Sequence, residues 1–256
     1  MNFIKLTGVE LKKIRRSKIF WILLVPVVVL WIPAVLNADM NFQMQSEGIS
    51  PENNFLIQSF MGFAWFMYPA SMIICTVMMT QIERMHKGSL KMLSLPVNTG
   101  ALSLAKFAVL LILAAIQMVM MTAGYFISAW IASEIQDYSF MLEPMAVFRK
   151  IGLIYVSSIP MAAVYWLLAI CIQTPIFSIG SGLASIVPSV LIINTKLWYL
   201  YPVCYPFRLM MTGMLDMADH LGKAKNDLFP WIPAAVIITL VCLIISGLRF
   251  GRAERT

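Results

Sequence analysis

Six apolar runs, at roughly residues 19–36, 60–80, 107–131, 151–173, 175–195 and 231–248, constrain this chain more than any motif in it. At about 1.5 Å per helical residue, each run can cross most or all of a hydrocarbon layer roughly 30 Å thick. One water-soluble core could not hide them: 60% of the 256 residues are hydrophobic and 12% are charged, against about a quarter charged in a soluble domain. The runs predict an all-α membrane protein with six transmembrane helices, one domain over 1–256. Drawn to these limits, no run carries Asp, Glu, Lys, Arg or His away from its ends, as lipid requires of helices without an ion pathway. The basic start before "IFWILLVPVVVLWIPAVL" resembles a cleaved leader, with "LNA" before Asp39 as a cleavage candidate. The length of the run, Pro26, Pro33 and the five runs after it favour a retained span. Cys75, Cys171, Cys204 and Cys242 stand singly and read as small apolar fillers.

Orientation follows from the basic residues, because short cytoplasmic segments hold an excess of Lys and Arg. If both termini are cytoplasmic, the inner segments hold thirteen of the 19 Lys and Arg residues, and nine of the 12 Asp and Glu residues fall outside. In residues 1–18, Ile4, Leu11 and Ile14 fall near one helical face and the basic cluster takes the other. Either a helix lying in the headgroup plane or a plain basic anchor accounts for this. The net charge of +7 is accounted for by this bias, and no aromatic-interleaved basic patch points to nucleic acid.

The longest polar interruption is "QIERMHKGSLKMLSLPVNTGALSLAK", residues 81–106, on the inner side. Ile82 and Met85 are three apart, as are Leu90 and Leu93, with Glu83, Arg84, His86 and Lys87 between or beside them. This predicts a short amphipathic helix, broken at Gly88 and ended by Pro96. A plain chain reversal needs only a handful of residues, so the segment offers a surface to a soluble partner. "ERMHKGSLKMLSLPV", with Lys106 following, resembles the loop between the second and third helices of ABC-2 type permeases, the membrane subunits of ATP-binding cassette exporters. Glu83, Gly88, Ser89, Leu93, Leu95, Pro96 and Lys106 match the family pattern. The likeness covers the whole chain: basic N-terminal helix, six spans, this loop and a short basic tail. It implies that the loop, with Ile82, Glu83, Met85, Gly88, Ser89, Leu90, Leu93, Leu95 and Pro96, is a coupling helix docked on ABC ATPase subunits, two in number. It also implies a second permease chain, identical or related.

A second segment narrows the resemblance. "NTKLWYLYPVCYPFRLMMTGML" sets Trp198, Tyr201 and Tyr205 around Pro202 and Pro206. Such aromatics are also ordinary at a membrane–water boundary. The doubled Tyr-Pro after a Trp is similar to the permeases of lantibiotic self-immunity, where this region folds as short re-entrant helices on the outer side.

No G-x-x-x-x-G-K-[ST] motif occurs, so ATP cannot be bound by that route. The spans offer only neutral polar groups such as Gln117, Thr122 and Gln173. A single amide in a long helix is more readily an interhelical hydrogen bond than a substrate ligand. His86 and His220 are too far apart in topology to share a metal, and Asp216 with Asp219 makes no catalytic set. Ser178, Gly182, Ser185 and Ser189 place small residues on one face of the fifth run, favouring packing inside the bundle over contact with a second permease. The outer stretch 37–59 has Asp39, Glu47 and Glu52 and no Lys or Arg, which either mirrors the inner basic bias or attracts a cationic substrate.

The expectation is a non-enzymatic permease subunit in a bacterial plasma membrane, both termini cytoplasmic, holding no cofactor itself, with ATP and magnesium on its partner. Its cargo is an amphipathic antimicrobial peptide entering from the bilayer. The alternatives are a bacitracin-type antibiotic, a drug or an envelope lipid or polysaccharide as cargo, and, in another class, a membrane sensor or peptide-binding scaffold that transports nothing.

Overall fold

The computed structural model describes residues 3–15, 17–85, 99–215 and 228–253. Among them there is no strand. Helix α1 (Phe3–Arg15) precedes α2 (Ile19–Leu36), the first span, and a 3-10 segment (Ala38–Glu47) leads to α3 (Pro51–Gly62). A π-helical turn (Phe63–Met67) joins α3 to α4 (Tyr68–Met85), and together they form the second span. The third and fourth spans are α5 (Thr99–Gln136) and α6 (Pro144–Cys171); the fifth is broken into α7 (Pro175–Ala184) and α8 (Val187–Ile192). Two 3-10 turns (Trp198–Leu200 and Pro202–Cys204) run into α9 (Tyr205–Leu215), and α10 (Leu228–Ala253) is the sixth span.

All six predicted spans are present; four of them extend beyond the apolar runs at one or both ends, the first matches its run, and the fifth stops short at Ile192. Start signals explain much of the extension. Pro51, Pro144 and Pro175 each occupy the first turn of a helix, where a missing N–H costs nothing and the fixed φ is already helical. Gly48 reaches φ 81° in the turn before α3, and Asp137 takes φ 48° just past the end of α5, a left-handed conformation that Asp tolerates and that stops the helix. The longer helices correct the expected run limits in one respect that matters. Lys106 stands eight residues into α5 and is only 2% exposed, so the spans do carry an ionisable group inside the fold.

The α5 and α6 helices pack on each other and on α10; α5 also receives α1 and α2, and α4 lies against α6 and α7. Lipid tails are as apolar as Leu, so close packing and hydrogen bonds hold such a bundle together. At Gly124 of α5 an added Cβ would lie 2.5 Å from Trp31 Cδ1, so the first span's indole rests directly on the third span's backbone. The small face of the fifth span serves the same purpose. Ser178 and Gly182 are buried, and a Cβ on Gly182 would come within 2.8 Å of Ile73.

Candidate functional site

The bundle has two chemically different ends. The basal end gathers α1, the beginning of α5, the turn at 172–174 and the end of α10. Here Glu10 accepts from Lys106 Nζ at 2.7 Å and from Lys13 Nζ at 2.6 Å. The Glu10 and Lys106 side chains are 4% and 2% exposed. Burial pushes the Glu10 carboxyl up, but the ammonium groups of Lys106 and Lys13 outweigh it and hold the group below its ordinary value. The predicted face of α1 is therefore corrected. Leu6, Glu10 and Ile14 turn inward on the third span, while Ile4 and Leu11 are exposed. Sequence reasoning weighed only apolar periodicity and so missed a carboxylate on the buried face. The 96-residue separation of Glu10 from Lys106 leaves no local signal. Nearby, Trp166 Nε1 donates to Ser103 Oγ at 3.1 Å and its ring stacks on Phe250 at 6.4 Å.

The second span ends at this same basal face, with Ile82 half-buried, and the third span begins there at Thr99. Glu83 and Met85 belong to the last turn of α4. Gly88, Ser89, Leu90, Leu93, Leu95 and Pro96 lie outside the described residues, as do His86 and Lys87.

At mid-depth the polar groups pair across helices. Gln117 Nε2 donates to Ser71 Oγ at 2.8 Å, which fulfils the interhelical expectation for this amide, and Tyr68 Oη meets Ser158 Oγ at 2.8 Å. The π-helical turn adds an exposed aromatic pair, Trp65 and Phe66, with Phe207 of α9 6.3 Å from Trp65. In the sequence Trp65 and Phe66 are ordinary members of an apolar stretch; nothing there marks their exposure.

The distal end is aromatic. Trp31 touches Phe55, Phe60 and Tyr125 with ring centroids 5.7–5.8 Å apart, and Phe140, Phe42 and Tyr138 extend the cluster outward. Glu52 accepts from Tyr138 Oη at 2.5 Å, a bond that raises the Tyr138 phenol's pKa. Glu52 is thus engaged in joining the second span to the link after the third. Asp39 is exposed, and Glu47 closes the 3-10 segment. Beside Asp39 a recess of about 280 Å³ is lined by Val29, Pro33, Asn37, Asn41, Gln58 and Ser59, among others. Pro33 has no N–H to give the Val29 carbonyl. Asn54, fully buried, donates to Asn41 Oδ1 at 3.1 Å and leaves its own Oδ1 without a partner.

The segment 194–215 folds inward from the distal end. Tyr201 donates to the Ser185 carbonyl, and Ser185 also lies 3.4 Å from Tyr165 Oη. Ser185 is ten residues above Pro175, about 15 Å along the fifth span, so Tyr201 sits deep. Pro202 opens the second 3-10 turn and Pro206 the first turn of α9. Trp198, Tyr205 and Trp231 enclose one another at 5.7–6.0 Å, with the Arg208 guanidinium 4.7 Å over Trp198.

The described residues bring together no group of three or more His, Cys, Asp or Glu side chains. What they bring together is a buried ionic joint at the end from which residues 86–98 depart and an aromatic, partly polar recess at the other. No curated protein matches the chain. The family model described as "ABC-2 family transporter protein" matches residues 6–213, from α1 through α9. The chain belongs to the ABC-2 family of transporter proteins, as a membrane-embedded transport component.

Proposed function

We propose that the chain is the permease subunit of an ATP-driven exporter that removes an antimicrobial peptide of the lantibiotic type from the membrane and so confers immunity or resistance. The match of the ABC-2 family over residues 6–213 carries this reading; the chain has no phosphate-binding glycine motif of its own. Family membership implies ABC ATPase subunits as partners. In this reading two of them, holding ATP and magnesium, dock on residues 82–96, and a second permease chain, related or identical, completes the pathway. The membrane is a bacterial plasma membrane, both termini are cytoplasmic, and α1 lies in the headgroup layer.

Nucleotide-driven closure of the ATPases moves the loop, to which the second span is attached through Ile82 and the third through Thr99. The cargo assignment draws on the Trp-Tyr-Pro segment at 198–206 and on the distal surface. The stretch 37–59 has Asp39, Glu47 and Glu52 and no Lys or Arg, and the recess beside Asp39 presents Asn, Gln and Ser side chains. A cationic, amphipathic peptide is complementary to both.

The test is co-purification of the ATPase with the permease from the producing strain, alongside survival under a cationic lantibiotic. Glu83→Ala and Leu93→Asp are expected to release the ATPase and abolish protection while the permease stays in the membrane. Undiminished ATPase binding in Leu93→Asp refutes the docking assignment. Loss of the ATPase with full survival refutes the cargo assignment.

A further inference from the structure

Lys150 lies in the second turn of α6, at the distal end, half-buried, with no ion-pair or hydrogen-bond partner among the described residues. It lines a recess of about 200 Å³ together with Leu153, Leu209 and Thr212. Leu153 is also the upper edge of a larger cleft, about 480 Å³, between the fourth and sixth spans, walled by Val156, Pro160, Tyr205, Trp231 and Leu240. A cation therefore stands at the mouth of an apolar channel.

The channel asks for hydrocarbon. Its two aliphatic hydroxyls are already satisfied by their own helices: Ser157 Oγ donates to the Ile154 carbonyl at 2.8 Å and Thr239 Oγ1 to the Ala235 carbonyl at 2.7 Å. Its length is about 10 Å from Leu153 to Pro160 and about 14 Å from Trp231 to Leu240 by helical rise. That is close to half of a hydrocarbon layer roughly 30 Å thick, the reach of one acyl chain. The mouth asks for an anion, because a partly desolvated ammonium without a counter-charge is costly. A cationic peptide is repelled there, so this is not the proposed cargo's site.

We propose that this is a specific phospholipid site. A lipid of the distal leaflet places its phosphodiester beside Lys150 and one acyl chain between the fourth and sixth spans, against Tyr205 and Trp231. It would brace the inward-folded segment 198–205, whose Trp198 and Tyr205 pack on Trp231. The site is independent of what the chain exports.

Native mass spectrometry of the delipidated, full-length chain tests this with three probes: phosphatidylglycerol, a diacylglycerol with the same chains, and inorganic phosphate. One phosphatidylglycerol is expected to bind about ten-fold more tightly than diacylglycerol, the worth of one charge-assisted contact. Lys150→Gln should erase that preference and Lys150→Arg should keep it. Val156→Trp, at a side chain 60% exposed on the channel wall, should weaken both lipids. The proposal is overturned if the wild-type chain shows no preference, if Lys150→Gln retains it, if Val156→Trp binds lipid normally, or if inorganic phosphate binds as well as the lipid, which would mean an anion site without a chain.

Discussion

Replacing Lys106 by Met tests whether the N-terminal helix is fixed to the bundle by charge. At 2.7 Å and an effective dielectric of about 20, the attraction in the Lys106–Glu10 pair is about 6 kcal/mol. Desolvation of the two ions, several kcal/mol each, cancels most of it, so the intact pair adds little net stability. Breaking it is different, because a carboxylate 4% exposed stays behind. Such losses run at about 3–5 kcal/mol. Lys13, whose side chain is 32% exposed, still reaches Glu10 and keeps the cost near the lower figure. At 2–4 °C per kcal/mol for a chain of this size, Tm should fall by about 9 °C. In the double variant Glu10→Leu with Lys106→Met, no charge is left behind, and most of the loss should return. The acid dependence has a definite sign. Since the Glu10 pKa is lowered on folding, the pair's contribution is complete above the ordinary carboxylate value of 4.5 and fades as pH falls through the lower folded value. Thermal unfolding in detergent micelles, at neutral pH and at about pH 4, compares the wild type with both variants. A Lys106→Met shift under about 2 °C, or a double variant no more stable than the single one, refutes the argument.

Gly124→Ala should cost about 1–3 kcal/mol of thermal stability, because its methyl would lie 2.5 Å from Trp31 Cδ1 and 2.9 Å from Val27 Cγ1, and Phe55, Phe60 and Tyr125 leave the indole nowhere to retreat. Combined with Trp31→Phe the two losses should be markedly less than additive; simple additivity would show that the contact is absent. Gln117→Leu should leave stability within about 1 kcal/mol, since interhelical hydrogen bonds in membranes average only about 0.6 kcal/mol and the amide's oxygen already lacks a partner. Peptide protection should persist in this variant, and its loss at unchanged stability would make Gln117 a ligand of the cargo.

What the sequence disclosed was whatever repeats along one helix. Six apolar runs gave six spans, and Ser178 with Gly182 gave a packing face that Ile73 fills. Pairings between distant helices left no such periodic trace. Glu10 and Lys106 were each visible as charges near a membrane boundary, but hydropathy assigns both to water and only the docking of α1 on α5 makes them a buried pair. The same holds for Glu52, which counts as a free surface acid along the chain and as the acceptor of Tyr138 in the fold. Trp65 and Phe66 depend on a π-helical turn, which no apolar periodicity signals.

The described spans do contain ionisable groups, but Glu52, Lys106, Glu134, Arg149, Lys150 and Arg249 all stand toward helix ends. Lys106, the deepest from the basal side, is only about 10 Å along α5 from Thr99. The middle of the bundle holds the amide–hydroxyl and phenol–hydroxyl pairs of Gln117 with Ser71 and Tyr68 with Ser158. Those groups carry no charge at neutral pH, unlike the titratable side chains that mark proton relays at such depth. The buried ion pair instead sits where movement of residues 82–98 would first reach the bundle, and it binds α1 to the same helix, α5, that follows this segment. Under the proposed ATPase drive, α1 and the base of the third span therefore move together, and the Lys106→Met variant should uncouple them even at temperatures where it remains folded.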